Sequence, residues 1–336
     1  MPIGVIGAGS FGTCLAMLCA AESDVTLWAR DPDVARAIQV EGRNPRHLSQ
    51  FALPAGLTAT ADLQHAVAGK ELVVVAVPSH ALRDVMRAAA PALHDQAIVV
   101  SAVKGIECET MMTMHEVLED VLDPVHHPRI CCLSGPSFAL EIAERQPTLV
   151  TVACRNEAYA IAVQSILSRP WFRCYSSADV MGVEIGGALK NVIAIAVGIG
   201  DGVGAGQNAR AALMTRGLSE MTRLAVQMGA RAETLHGLSG MGDLVLTCTG
   251  DLSRNRRVGL ALGEGRSLDE IVAELGEVAE GVRTTRAACR LAEREGVELP
   301  IVEMVRQVLD GERTPADAGS ALLTRQLGRE RESDPY

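Results

Sequence analysis

A single lysine interrupts a helical pattern that is otherwise apolar. Lys190 lies in the run GGALKNVIAIAVGIGDGVGAGQN at 186–208, with Ala, Leu, Val and Ile as neighbours. Burial among such side chains disfavours the charged ammonium and lowers the pKa of a lysine toward the range that a general acid or base needs. A lysine whose stem packs on apolar surface while its ammonium reaches water gives the same pattern. From this run alone, a catalytic lysine and a solvated one are equally well supported.

Polar residues farther along the chain favour the catalytic interpretation. The motif GMGD brings Asp243 on what we predict to be a glycine-flexed loop, and Thr247 follows one helical turn later. The segment SRNRR, which begins at Ser253, concentrates cations in an acidic protein. Arg254 could bind a phosphate bidentately while Ser253 and Asn255 add hydrogen bonds. The alternative is a solvated charge run, which is the usual role of such a segment.

A glycine-rich loop near the amino terminus suggests a nucleotide. Gly7, Gly9 and Gly12 form the pattern GAGSFG. The apolar run IGVI at 3–6 precedes it, and an apolar helix predicted at 13–21 follows it. In such a strand–loop–helix unit the glycines permit a tight turn and let the backbone approach a pyrophosphate, which the helix N-terminus binds. A dinucleotide site is the better interpretation, and a glycine turn that only packs is the alternative.

The end of the second predicted strand bears on the choice of coenzyme. The strand VTLW at 25–28 is followed by Arg30 and Asp31. Arg30 could bind the 2′-phosphate of NADP, whereas Asp31 could bind the ribose hydroxyls of NAD if the strand ends one residue later. Arg30 could equally be a solvated surface charge. The sequence favours NADP, or the use of both coenzymes, without excluding NAD.

Two later strands are also followed by polar side chains. Lys104, in SAVKGIE, comes after the strand predicted at 97–103, and Ser137, in SGPSFA, comes after the one predicted at 129–135. Ligands of doubly wound sheets bind at the carboxyl ends of the strands. Lys104 could therefore contact an anionic or carbonyl substrate, although an exposed loop lysine is the simpler alternative. Ser137 could equally be the N-cap of the next helix.

The elements that must position these residues divide the chain in two. Up to about residue 180, apolar runs rich in Val and Ile alternate with helical patterns, as in a parallel sheet buried on both faces. Beyond it the spacing is helical. We predict an α/β fold: a Rossmann-type, doubly wound, mostly parallel sheet at 1–180, then an all-helical domain for substrate binding and catalysis at 181–336. Strands are predicted at 3–6, 25–28, 72–77, 97–103, 129–135, 148–154 and 171–177, and helices at 208–228, 279–295 and 300–309.

Composition limits the classes of partner. The 336 residues, 48% of them hydrophobic, can form two domains with sizeable cores. A net charge of -10 argues against binding to nucleic acid or to an anionic membrane, so an anionic ligand needs a local cationic site. Nine cysteines without a CxxC pair indicate neither a disulfide framework nor a metal site, and favour the cytoplasm. No signal peptide and no apolar run of about 20 residues is evident, so we expect no membrane insertion.

The sequence resembles the bacterial NAD(P)-dependent sn-glycerol-3-phosphate dehydrogenases over nearly its full length. The run at 187–208 is similar to the family's signature position for position. The motifs GAGSFG, VKGIE, SGPSFA, GLSGMGDLVLTC, SRNRRVG and VAEGV also occur in the family's order. The resemblance implies reversible hydride transfer between NAD(P)H and dihydroxyacetone phosphate, which gives sn-glycerol 3-phosphate for phospholipid synthesis.

The resemblance also implies roles for individual residues. Lys190 would be the general acid/base at the C2 oxygen, Asp243 and Thr247 its polar partners, and Lys104 a substrate contact beside the nicotinamide. His47 stands where family members often have tyrosine, and Phe11 where many have tryptophan. The implied substrate contacts are Lys104, Gly135, Ser137, Lys190, Asp243, Ser253, Arg254 and Asn255. The candidate dinucleotide contacts are Gly7, Gly9, Ser10, Phe11, Gly12, Arg30, His47, Lys104, Ala139, Arg254, Val278 and Glu280.

Two other functions fit parts of the pattern. A hydroxyacid or 6-phosphogluconate-type dehydrogenase also pairs a Rossmann domain with a helix-borne lysine, but the cationic segment at Arg254 speaks against it. A non-catalytic dinucleotide sensor would need only the glycine loop, so Lys190 and Asp243 make it a poorer match. We also expect a homodimer, because exposed apolar faces of helical domains often pair.

Overall fold

The structure, a computed structural model, describes residues 1–275 and 279–326. In this part of the chain eight strands form one sheet and helices follow it, which confirms the predicted fold class. All seven predicted strands are present. The strands are β1 (Pro2–Ile6), β2 (Asp24–Trp28), β3 (Leu57–Thr60), β4 (Leu72–Val75), β5 (Ile98–Ser101), β6 (Ile130–Ser134), β7 (Thr148–Cys154) and β8 (Phe172–Ser177).

The sheet is doubly wound. Its strand order is β3-β2-β1-β4-β5-β6-β7-β8, so the chain starts inside the sheet, builds out to β3, then returns and continues from β4 to the other edge. Neighbouring strands are parallel except β6 and β7, which are antiparallel. Ile6 is in register with both Trp28 and Val75. The loops after β1, β2 and β4 therefore lie along one edge, where such sheets bind ligands.

Helices cover both faces of the sheet. They are α1 (Ser10–Cys19), α2 (Pro32–Glu41), α3 (Leu63–Val67), α4 (Leu82–Ala89), α5 (Met114–Val121), α6 (Ala139–Ala143) and α7 (Glu157–Leu167). Val74 packs in the core that contains α1, whereas Val73 and Val75 pack in the core that contains α4 and α5. Strands such as β4 are apolar throughout because both of their faces are buried.

The second half of the described chain is helical. Its elements are α8 (Val180–Gly202), α9 (Gly206–Gln227), α10 (Ala232–Leu235), α11 (Asp243–Thr249), α12 (Arg254–Gly263), α13 (Leu268–Leu275), α14 (Glu280–Glu295), α15 (Pro300–Leu309) and α16 (Pro315–Leu323). Helix α8 is long and apolar enough to span a membrane, but 94% of its most apolar window is buried inside the protein. It is the central core helix of this half.

Glycines bring α8 and α12 into backbone contact. A Cβ atom at Gly198, Gly202, Gly259 or Gly263 would lie 2.1–2.5 Å from a backbone oxygen of the other helix. The contacts advance together along both helices, so α8 and α12 run parallel. The alternating glycines of the run at 186–208 therefore serve two purposes: Gly198 and Gly202 permit this packing, and the positive φ angles of Gly204 and Gly206 turn the chain into α9.

Candidate active site

The lysine that interrupts the apolar pattern is buried in the middle of α8. The side chain of Lys190 is 9% exposed. Its Nζ donates to Oδ1 of Asp243 and, at 2.9 Å, to Oγ1 of Thr247. The interpretation of Lys190 as a solvated lysine is therefore wrong. Its ammonium is hydrogen-bonded to Asp243 and Thr247, the two polar partners that the sequence suggested.

A second lysine reaches the same carboxylate from the sheet. Lys104 follows β5, and its Nζ donates to Oδ2 of Asp243 at 2.6 Å. Its side chain is 17% exposed, so it is not a solvated loop lysine. The chain turns at Gly105, where φ is +147° and an added Cβ would lie 3.0 Å from Cβ of Ser79. One carboxylate thus bridges two ammonium groups that come from the two halves of the chain.

Close packing on α8 places Asp243 at its position. The residues before it form a π-helical turn, Leu238–Gly242, and not the flexible loop that the glycines predicted. A Cβ at Gly186 would lie 2.6 Å from the backbone oxygen of Ser239, and one at Gly240 would lie 1.9 Å from that of Leu235. Gly186 lets the turn lie directly on α8, and Gly240 lets it pack against Leu235, so α11 begins with its first carboxylate facing the buried lysine.

The burial and the charges of this network set its protonation. Burial lowers the pKa of Lys190 to about 8, the attraction of Asp243 opposes that shift, and Lys104 adds to it. Burial disfavours the charged form of Asp243, but the two lysines together hold the pKa of its carboxyl below the ordinary value. The site therefore combines a carboxylate that is charged at neutral pH with an ammonium that can exchange its proton near neutral pH.

The start of α12 lies beside the same turn of α8. Ser253 is the N-cap of α12, and its Oγ accepts the backbone N–H three residues on. Asn255 is buried: its Nδ2 donates to Oδ1 of Asn191 at 2.9 Å, and its Oδ1 accepts from the N–H of Gly281 at 2.9 Å. Asn191 directly follows the buried lysine, while Arg254 is exposed at the first residue of α12. An exposed guanidinium and a helix N-terminus thus lie near the lysine pair.

The glycine loop after β1 has the shape that a dinucleotide requires. Gly7 has a φ of +112°, and a Cβ at Gly12 would lie 1.9 Å from the backbone oxygen of Gly7. A Cβ at Gly9 would meet nothing within 4 Å, so this backbone is open to a ligand at the N-terminus of α1. In the described part of the chain, no group of three His, Cys, Asp or Glu side chains is arranged to hold a metal ion.

A buried asparagine folds a second loop onto the glycine loop. Asn44 is completely buried, and its Nδ2 donates to the oxygen of Ala8 and to Oγ1 of Thr13, both at 2.9 Å. Its Oδ1 accepts from the N–H of His47 at 3.1 Å, and the His47 ring lies 3.3 Å from Oγ of Ser10. His47 is thus held at the start of α1. The sequence interpretation missed Asn44, because a single polar residue in a loop carries no spacing signal.

The two charged residues after β2, Arg30 and Asp31, differ in their contacts. Asp31 is the N-cap of α2, where Oδ1 accepts from the N–H of Asp33 at 2.9 Å, and its Oδ2 accepts from Arg46. The backbone hydrogen bond from Asp33 and the charge of Arg46 lower the pKa of Asp31. Arg30 is exposed next to it. The carboxylate of Asp31 therefore already has partners on both oxygens, and two arginines flank this end of the strand.

Comparison with protein families identifies the chain. The model of the NAD-dependent glycerol-3-phosphate dehydrogenase N-terminus matches residues 2–160, and the model of the C-terminus matches residues 179–320. The chain belongs to the NAD-dependent glycerol-3-phosphate dehydrogenase family. Of the three functions considered from the sequence, the match over both halves supports the glycerol-3-phosphate dehydrogenase.

Relatives of this family are similar over the full chain. A protein of Syntrophotalea carbinolica named glycerol-3-phosphate dehydrogenase (NAD(P)+) is 52% identical, over 98% of this chain and 99% of its own. One of the same name from Myxococcus xanthus is 52% identical over 96% of both chains. The crystal structure of glycerol-3-phosphate dehydrogenase from Coxiella burnetii has a TM-score of 0.92 at 39% identity, over 96% of this chain and 99% of that one.

Other predicted contacts lie where the halves of this dehydrogenase meet. Glu280, the first residue of α14, accepts from the N–H of Ser79 at 3.1 Å and from its Oγ at 2.6 Å. Gly187 lies close to the end of β6, because a Cβ there would be 2.9 Å from Oγ of Ser134. The predicted contact Val278 lies outside the described residues. Glu280 thus joins the helical half to the loop after β4.

The loop after β6 has a conformation that the sequence did not predict. Ser137 donates its Oγ hydrogen to the oxygen of Gly135 at 2.8 Å and does not cap a helix, so its interpretation as an N-cap is wrong. Gly135 has a φ of +140°, and an added Cβ would lie 2.9 Å from Cα of Val150. Ala139 is the first residue of α6. The predicted start of α1 is also wrong: the helix begins at Ser10 and not at residue 13, so Phe11 lies in its first turn.

A compositional signal for the lysine pair was also missed. The chain of this dehydrogenase has 28 arginines but only three lysines, Lys70, Lys104 and Lys190. Lys70 lies just before the amino end of β4 and donates to Oγ1 of Thr26, in the middle of β2, at 2.7 Å. Two of three lysines therefore meet at one carboxylate. Lysine differs from arginine in that its pKa can be lowered enough for proton transfer.

Proposed function

We propose that this dehydrogenase transfers hydride reversibly between NAD(P)H and dihydroxyacetone phosphate, giving sn-glycerol 3-phosphate for glycerophospholipid synthesis, with Lys190 as general acid/base. Membership of the family and the names of its relatives support the activity. The observation that carries the assignment of residues is the Asp243 carboxylate, which bridges Lys190 and Lys104. Such an arrangement keeps two cations, one of them with a lowered pKa, at one point.

The lysine pair suits the reduction of a ketone. When bound, the nicotinamide supplies the hydride to C2. Negative charge then develops on the C2 oxygen, and ammonium groups stabilise this charge more in the transition state than in the ground state. Lys190 gives its proton to that oxygen, and in the reverse reaction its neutral amine removes the hydroxyl proton. Lys104 contributes a second positive charge, while Asp243 and Thr247 orient the Lys190 ammonium.

The substrate phosphate is assigned to the start of α12. Arg254 supplies a planar cation there, and Ser253 and Asn255 add polar groups at the helix N-terminus. The position of Asn191 directly after Lys190, bonded to Asn255, supports this assignment because a three-carbon substrate must reach both points. Gly135 and Ser137, after β6, are assigned to the same substrate.

The dinucleotide is assigned to the loop after β1 and the residues around it. Gly7, Gly9 and Gly12 form the phosphate-binding turn. The other assigned contacts are Ser10, Phe11, Arg30, His47, Lys104, Ala139, Arg254, Val278 and Glu280. Because Asp31 already has partners on both oxygens, we propose that Arg30 receives the 2′-phosphate of NADP and that NADPH is used at least as well as NADH.

We further propose that the protein is a cytoplasmic homodimer whose domains divide near residue 180. The nine free thiols agree with a reducing compartment. Met241, Val245 and Leu252 are exposed large apolar residues on or near α11, and such side chains are common at subunit contacts. Light scattering during size exclusion should give twice the mass of one chain, and a monomer mass would contradict the dimer.

The direct test of the mechanism is Lys190→Ala. We expect kcat for dihydroxyacetone phosphate to fall about 10³-fold or more, because a general acid and a transition-state charge are both lost. NADPH binding, measured by fluorescence titration, should persist. Lys70→Ala is the matched control, since it removes the third lysine of the chain and should leave kcat unchanged. Turnover near the normal rate in Lys190→Ala would end the proposed mechanism.

A conservative variant separates charge from proton transfer. Lys190→Arg keeps a positive charge, but an arginine cannot release its proton at any ordinary pH. We expect Lys190→Arg to be nearly as inactive as Lys190→Ala, whereas Lys104→Arg should retain part of its turnover because only charge is required there. The opposite order of activities would exchange the roles of the two lysines.

A further inference from the structure

The mechanism gives no role to Asp201, a mostly buried carboxylate of α8. Asp201, near the carboxyl end of the helix, has a side chain that is 9% exposed. Its Oδ2 accepts from Nε and Nη2 of Arg256, at 3.1 and 2.9 Å. Its Oδ1 accepts from Nε of Arg210 at 2.9 Å. One carboxylate therefore ties together three helices, α8, α9 and α12.

This ion pair acts on the first turn of α12. The N–H of Arg256 is the group that Ser253 caps, at 3.2 Å. The guanidinium of Arg256 is turned to Asp201, and its Nη1 donates outward to Asp251 at 3.0 Å. Arg254, two residues earlier, is exposed. Two carboxylates thus hold Arg256 in the first turn of α12, which begins at Arg254.

The same two helices are already in backbone contact. The glycines of α8 and α12 fix how closely the helices approach, and the bond between Asn191 and Asn255 fixes one level of their alignment. Asp201, between Gly198 and Gly202, adds a charged contact between the helices alongside the glycine contact. Because Lys190 is on α8 and the proposed phosphate contacts begin α12, these links set the distance between the reacting carbon and the phosphate.

We infer that Asp201 is a positioning residue for the substrate phosphate: through Arg256 it holds the first turn of α12 at the distance from Lys190 that one small phosphorylated ketone spans. The inference rests on the proposed function of Ser253 and Arg254. Paired charges that are mostly buried hold their geometry better than exposed ones, so Asp201 can define this distance without touching the substrate.

A matched pair of carboxylates tests the inference, since Asp201 and Asp251 both bind Arg256. Asp201→Asn should raise the KM for dihydroxyacetone phosphate about tenfold, with kcat and the KM for NADPH within about twofold of normal. Asp251→Asn removes the partner that is 98% exposed and should leave all three constants unchanged. Inorganic phosphate, as a competitive inhibitor, should also lose affinity in Asp201→Asn.

Several results would overturn the inference. An unchanged KM in Asp201→Asn would show that the pair does not position the site, and a lowered KM would show that a released Arg256 binds phosphate itself. An equal loss in kcat and in coenzyme affinity would reveal general damage to the fold. If Asp201→Asn does not fold, Arg256→Gln in the same assay should show the same rise in KM, and a normal KM would again contradict the inference.

Arg254→Ala separates this inference from the proposed function. If Arg254→Ala leaves the KM for dihydroxyacetone phosphate unchanged, the assignment of the phosphate to α12 is wrong. If Arg254→Ala raises that KM while Asp201→Asn does not, only the role of Asp201 is wrong. A rise in both variants supports both.

Discussion

Two buried carboxylates along α8 have opposite electrostatic behaviour. Asp243 faces the middle of the helix and is bound by two lysines, which hold its pKa below the ordinary value against the effect of burial. Glu184 lies near the start of the helix, where its Oε2 accepts from the N–H groups of Met114 and His115 at 2.9 and 3.3 Å. Burial raises the pKa of Glu184 to about 7, and these two bonds offset only part of the shift.

The difference shows what each kind of partner can do for a buried acid. Backbone N–H groups at a helix start supply partial charges, while ammonium groups supply whole ones. Glu220 behaves like Glu184: it accepts from the N–H groups of Ile301 and Val302 at the start of α15, and burial raises its pKa to about 7. A buried carboxylate that only caps a helix, as Glu184 and Glu220 do, is thus a structural group, and the one that bridges two lysines marks the reactive site.

The largest difference in kcat should be that between variants in which Asp243 or Glu184 is neutralised. Asp243→Asn leaves two lysines without their shared carboxylate, so we expect kcat to fall about 10³-fold. Glu184→Gln keeps an oxygen for the N–H groups of α5, so kcat should stay within about threefold of normal. Steady-state kinetics of folded protein, checked by circular dichroism, measures both. Equal losses in the two variants would remove the distinction between reactive and structural carboxylates.

The pH dependence of turnover should follow the lysine at the reactive carboxylate. Because burial lowers the pKa of Lys190 to about 8, its ammonium becomes neutral above that pH. Reduction needs the protonated form, so its kcat should fall about tenfold per pH unit above the pKa. Oxidation of glycerol 3-phosphate needs the neutral form and should fall below the pKa. Profiles that are flat for both directions between pH 6 and 10 would contradict the assignment.

The pH dependence of stability should follow the structural carboxylate. The pKa of Glu184 is raised from 4.5 to about 7, so the folded state holds an extra proton in that window. Stability is therefore lost as pH rises through the window, by up to about 3 kcal/mol for this group. Glu184→Gln does not titrate, so its free energy of unfolding in urea should decline less between pH 5 and 8. Glu220, whose pKa is raised in the same way, should contribute a further decline in both proteins. A decline as steep as in the unmodified protein would show that Glu184 does not titrate there.

The smallest effect on stability should come from the surface pair of Asp31 and Arg46. Asp31 is partly exposed and pairs with Arg46 in solvent, so Arg46→Ala should leave the midpoint of urea unfolding nearly unchanged. Arg46→Ala also releases the Asp31 carboxylate, which can then bind the ribose hydroxyls of NADH. We therefore expect kcat/KM for NADPH, divided by kcat/KM for NADH, to fall a few-fold. Arg30→Ala should shift it the same way. Unchanged ratios in both variants would remove these arginines from coenzyme selection.

The sequence predicts the inner strands and the edge strand β8, but not the other edge strand, β3. The apolar run at 148–154 has the bounds of β7. Strand β3, LTAT at 57–60, was missed because it is short, lies at the edge of the sheet and buries only Leu57 among its four residues. Patterns of apolar residues report burial on the faces of a sheet, so β8, which buries two alternate residues, has a signal that β3 lacks.

The site was predictable as a set of residue types but not as a network. Motifs named Lys190, Asp243 and Lys104, yet no spacing rule joins Asp243 to lysines that lie 53 and 139 positions away in the sequence. Asn44 and Asp201 were missed because a buried polar residue gives no periodic signal, and its partners come from elements distant in the chain. Three-dimensional packing alone decides which carboxylate is shared by two lysines and which one caps a helix.

The scarcity of lysine makes the protonation of the site directly observable. A chain with only three lysines, labelled with ¹⁵N at the side-chain nitrogen, has three such nitrogens for a magnetic resonance spectrum to resolve. The burial of Lys190 slows exchange of its ammonium protons with water, which sharpens its signal relative to that of an exposed lysine. Its titration can thus be followed in the unmodified enzyme, as coenzyme and substrate are added one at a time.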